Sequence, residues 1–189
     1  MKKKILIIAL CHFLFLVSCG AGQKSSNPQI ADLLITSNEQ NVLLYARLIN
    51  GFRPDIESEI IAGVPKEYTL QFRVYEERSS YIWDKRIKSG KIRRTIKYDN
   101  LKKTFNIYAS ERPEPVEFGD LNSAQNAMAD FNGVAVIPIA DLQKNKKYYL
   151  NAKIVINKVR LPLRLERAFF FVSYWDCDTV WYNKSFILK

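Results

Sequence analysis

Hydrophobic residues at every second position restrict the fold of this chain more than any other feature. In residues 68–76, Leu70, Phe72 and Val74 fall on one side and Gln71, Arg73 and Tyr75 on the other. In residues 91–98, Ile92, Ile96 and Tyr98 oppose Lys91, Arg93, Thr95 and Lys97. In residues 148–158, Leu150, Ala152, Ile154 and Ile156 oppose Asn151, Lys153 and Asn157. Successive side chains alternate faces only in a strand, so each run predicts a half-buried β-strand. Residues 30–36, 42–49, 81–87, 104–109, 134–138, 168–175 and 180–188 add further strand-like runs, and Asp99-Asn100 supplies a turn. Two helices interrupt them. Residues 54–62 begin with Pro54, carry Asp55, Glu57 and Glu59 early, and stop at Gly63. Residues 120–130 place Leu121, Ala124, Ala127 and Met128 at helical spacing, and a single turn is expected at 139–143. Residues 110–117, Pro-rich and acidic, read as a surface loop. The expectation is an α+β, mostly antiparallel β domain, a sandwich or strongly bent sheet with two short helices.

The N-terminus has a different logic. Lys2, Lys3 and Lys4 precede an apolar run of 13 residues, 5–17, interrupted only by His12. A membrane-spanning helix needs about 20 apolar residues, so the run suits the core of a signal peptide. It ends in Leu16-Val17-Ser18-Cys19, which resembles the lipobox of bacterial lipoproteins. That resemblance implies cleavage before Cys19, lipidation of its sulfur and acylation of the new amino group. Two or three acyl chains hold a protein firmly on a bilayer, at about 0.8 kcal/mol per buried CH₂. The expected organisation is a signal peptide at 1–18, the lipidated Cys19 with a small, polar tether to residue 29, and one domain over 30–189. By resemblance to Gram-negative lipoproteins, Gly20 in place of Asp after the cysteine directs the protein to the periplasmic face of the outer membrane.

Removing residues 1–18 leaves 171 residues with 26 Lys+Arg against 19 Asp+Glu, a net charge of +7. It also removes Cys11 and the single histidine, His12. Without histidine, Ser-His-Asp and Cys-His catalysis, His-ligated zinc and His-based pH switching are excluded. Cys177 is then the one thiol not claimed by lipid. It is flanked by Asp176 and Asp178, which disfavour a thiolate, and reads as an inert residue in preference to an intermolecular link or a reactive group. No P-loop, GxSxG or dinucleotide fingerprint occurs. The chain is not expected to be an enzyme, and no cofactor or metal is expected.

Three groups of residues stand out. Residues 85–103 hold nine Lys/Arg in 19 positions. Lys91, Arg93, Arg94 and Lys97 are the candidates for binding an anionic partner, a protein, lipid headgroup or glycan. The competing reading is a solvated strand face whose cations discourage edge-to-edge aggregation. Nucleic acid is not expected for a lipid-anchored extracytoplasmic protein. Phe169, Phe170, Phe171, Tyr174, Trp175, Trp181 and Tyr182 crowd the C-terminus, either lining a pocket or simply buried on both faces of a strand. Asp176 and Asp178 fit a turn better than a calcium loop, which needs more ligands.

A set of landmarks runs through the chain: Ala62-Gly63-Val64-Pro65, Phe72 and Tyr75, Trp83-Asp84, Ile96-Lys97-Tyr98-Asp99, Tyr148-Tyr149, Leu161-Pro162 and Trp175. Together they resemble the bacterial DUF4390 family of unknown function, over roughly residues 32–186. The lipobox and a less regular tryptophan pattern depart from the family. The resemblance implies an exported or membrane-associated bacterial domain and no established catalytic residues. Two functions are carried forward: a membrane-anchored, non-catalytic interaction module of the envelope, and alternatively a carrier of a lipid or other apolar small molecule. A carboxylate hydrolase is the third and weakest.

Overall fold

The computed structural model describes residues 27–78, 83–158 and 177–188. The expected signal segment, Cys19, the strand at 168–175 with its aromatics, and Asp176 lie outside them. In chain order the elements are β1 (Gln29–Ser37), β2 (Asn41–Ile49), α1 (Pro54–Ile61), β3 (Lys66–Glu76), β4 (Lys85–Asp99), β5 (Thr104–Ala109) and β6 (Val116–Phe118). They continue with α2 (Leu121–Ala129), β7 (Asp130–Pro138), a 3₁₀ turn (Ile139–Asp141), β8 (Lys147–Lys158), β9 (Cys177–Asp178) and β10 (Tyr182–Ile187).

The strands form two antiparallel sheets, one in the order β1-β2-β7, the other β10-β8-β3-β4-β5-β6 with β9 also on β8. The alternation seen in the sequence sorts the faces. Val42, Leu44, Ala46 and Leu48 of β2, Tyr68, Leu70, Phe72 and Val74 of β3, and Leu150, Ala152, Ile154 and Ile156 of β8 all enter one shared core. The helices add Ile56, Ile60, Ala124 and Met128 to it. β1 lies against β10 along one margin, while α2 lies over β4, β5 and β6 at the other.

The helix ends follow their local chemistry. Pro54 opens α1, and Gly63 closes it in the left-handed region at φ 87°, where the Val64 N–H bonds back to the Glu59 carbonyl. Asp120 caps α2 by accepting the Ser123 N–H at 2.8 Å.

β1 begins at Gln29, and Pro28 before it is buried. Three expectations need correction. The runs expected at 81–87 and 91–98 are not separate, since β4 continues unbroken from Lys85 to Asp99. Gly90 sits opposite Phe72, whose ring occupies the space a Cβ would fill. The glycine therefore makes room for a core aromatic and does not break the strand. Residues 116 and 117, read as loop, lie in β6, where Val116 and Phe118 pair with Ile107 and Phe105. Cys177 and Asp178, read as a turn, extend the β8 ladder, and Thr179 prolongs it by bonding Ile154 through both its N–H and its hydroxyl.

Candidate functional site

The candidate site is the outer face of the larger sheet. Along β4, Lys91, Arg93 and Lys97 are exposed. At about 3.3 Å per residue they span roughly 20 Å of one strand. Across the ladders Lys91 faces Gln71, Arg93 faces Thr69, and Lys97 faces Asn106, all uncharged. Among the described residues none of these three side chains enters an ion pair. Two further cations on this face are engaged: Lys153 pairs with Asp178, and the Arg73 guanidinium lies 4.4 Å from the centre of the Trp181 ring.

Arg94 is elsewhere. It shares parity with Ile92 and Ile96, points inward, and is 9% exposed. Nε and Nη2 donate to Glu111 Oε1 at 3.0 and 2.8 Å, and Nη1 donates to the Ala127 and Asp130 carbonyls at 2.9 and 2.7 Å. Its Cζ lies 4.3 Å from the Phe131 ring centre. It ties β4 to the 110–115 loop, the end of α2 and the start of β7, so the structure separates it from the three cations with which the sequence grouped it.

Of the C-terminal aromatics singled out in the sequence, the two within the described residues, Trp181 and Tyr182, part company. Trp181 covers Arg73 on the outer face, whereas Tyr182 packs against the core. Near the far end of the outer face, Tyr75 and Tyr149 stack with centroids 5.0 Å apart, and the Tyr149 hydroxyl donates to Asp84 Oδ2 at 2.9 Å. Burial, then the bond to Asp84, pushes the Tyr149 phenol up to about 12. It stays protonated and serves as a hydrogen-bond donor. Asp99, below Lys97, is held under the usual carboxylate range by backbone N–H groups of Lys102 and Leu101.

A second feature escapes the sequence. An open cleft of about 310 Å³ lies between β5–β6 and α2–β7, lined by Ile107, Ala109, Val116, Phe118 and Ala127, with Arg94, Arg112, Asn126, Asp130 and Asn132. Its walls come from five separate elements and the loop after β5, and no local motif marks it. Among the described residues no cluster of three or more metal-ligating side chains occurs, and no helix is long and apolar enough to cross a membrane.

Two antiparallel sheets over one core, with cations on the outer face of the larger, define an α+β domain that is not closed into a barrel. The chain matches the family described as a domain of unknown function, DUF4390, over residues 25–185, and it belongs to that family. Comparison with curated proteins and with solved structures gives no match.

Proposed function

We propose that this protein is a membrane-anchored, non-catalytic binding module of the bacterial envelope that docks an anionic partner on the outer face of its larger sheet. The observation that carries the reading is the row Lys91, Arg93 and Lys97, exposed and engaged in no ion pair among the described residues. An exposed cation row held in no ion pair attracts an acidic surface over a Debye length of about 8 Å at physiological salt. The lipobox ending at Cys19 supplies the anchor, and Gly20 fits an outer-membrane destination. No cofactor, metal or nucleic acid enters this reading.

Anchoring is tested by the intact mass of the membrane-extracted protein. The expected mass is that of residues 19–189 plus two or three acyl chains. An unmodified full-length mass, or a chain starting elsewhere, contradicts it. Docking is tested by Lys91→Glu/Arg93→Glu/Lys97→Glu, which should abolish salt-sensitive association with envelope material while leaving the melting temperature unchanged.

A further inference from the structure

We propose that the cleft between β5–β6 and α2–β7 binds a small organic anion with an apolar body, on the opposite side of the sheet from the basic outer face. The volume of about 310 Å³ reaches the lower end of the range of small-molecule sites. It equals roughly ten waters at about 30 Å³ each, so the site suits a short amphiphile and not a whole lipid.

The charge balance of the lining sets the sign of the ligand. Three charged residues border the cleft: Arg94, Arg112 and Asp130. Arg94 is neutralised by Glu111, and Asp130 pairs with Arg47 at 3.1 Å. Arg112 enters no ion pair among the described residues, and it lies exposed at the rim with its backbone held by the Ala109 carbonyl. One cation therefore remains for a ligand. Its fork matches a carboxylate or a phosphate. Of the five guanidinium hydrogens of Arg94, four are engaged within the fold, so Arg94 shapes the floor of the cleft and Arg112 takes the anion. Asn126 and Asn132, also exposed, flank the opening. The apolar body lies on Ile107, Ala109, Val116 and Phe118.

The test is titration of the full chain in non-ionic detergent with hexanoate and hexyl phosphate, followed by calorimetry and by amide shifts of Ala109, Val116 and Ala127. Saturable binding with a dissociation constant below about 1 mM is expected for at least one of them. Hexanol and acetate, each lacking one half of the chemistry, should bind about tenfold more weakly. Tighter binding of hexyl phosphate assigns a lipid-type phosphate ester as the source, and tighter binding of hexanoate a free carboxylate. Arg112→Glu should abolish binding, Arg112→Lys, which keeps the charge and loses the fork, should weaken it without abolishing it, and Ala109→Leu should abolish it by filling the cleft. Arg93→Glu should leave it unchanged, which keeps this site distinct from the outer face. No saturable binding by either anion overturns the inference, as do equal affinity for hexanol or shifts confined to other strands.

Discussion

Replacing Arg94 and its neighbour Arg93 one at a time should give opposite results. Arg94→Ala leaves the Ala127 and Asp130 carbonyls without their donor and strips Glu111 of its counter-charge. Removing one member of a buried pair costs roughly 3–5 kcal/mol. The Glu111 side chain is 25% exposed, so water recovers part of that loss, and about 3 kcal/mol is expected at the lower end of the range. For a domain of this size each kcal/mol shifts the melting temperature by roughly 2–4 °C, giving a fall of about 6–12 °C. Arg93→Ala, on the exposed face, should stay within about 0.5 kcal/mol. Arg94→Lys should recover little, since an ammonium lacks the planar fork that reaches Glu111 and two carbonyls together. Urea unfolding of the full chain followed by circular dichroism measures all three. An Arg94→Ala protein within 1 kcal/mol of wild type, or equal losses at both positions, refutes the assignment of Arg94 to the interior.

Gly90→Ala forces a Cβ into the Phe72 ring and should cost about 1–3 kcal/mol. Adding Phe72→Leu should make the double variant less damaged than the sum, and simple additivity in a double-mutant cycle would contradict the contact. Asp55, Glu76, Asp99 and Asp120 are all held below their ordinary values, Glu76 chiefly by Lys146 and Asp120 by the Ser123 N–H. Their stabilisation is present above the unfolded carboxylate range and is lost as pH falls through the depressed folded values, so the urea midpoint should drop below about pH 4. Asp120→Asn should flatten that drop, and a midpoint that rises between pH 5 and pH 3 would contradict the sign. Lys66, 4% exposed, pairs with Glu59 of α1. Lys66→Ala should therefore cost at least about 2 kcal/mol, and a neutral effect in the same assay would remove that pair from the account.

The strands were legible because period-two alternation is a direct consequence of burying one face, and β3 shows it from Leu70 to Tyr75 and β8 from Tyr148 to Asn157. The start and stop of α1 were legible for a similar reason, since Pro54 and Gly63 act within one turn of themselves. Gly90 was ambiguous because a glycine reads as a break until its cross-strand partner is known, and Phe72 lies 18 positions away. Arg94 was misgrouped by composition, although its parity with Ile92 and Ile96 already placed it on the inner face. Its partners Glu111, Ala127 and Asp130 lie in three later elements, and nothing local announces them. The cleft was invisible for the same reason: its walls meet only after the two sheets pack.

The most direct test of the central proposal is photo-crosslinking in intact cells, with the probe placed at position 93 on the basic face or at the exposed Ala135 on β7 of the smaller sheet. The account predicts one defined adduct from position 93, none from 135, and loss of the adduct when Lys91 and Lys97 are changed to Glu. Identical adducts from both positions, or an adduct at 93 that survives the charge reversal, would contradict it.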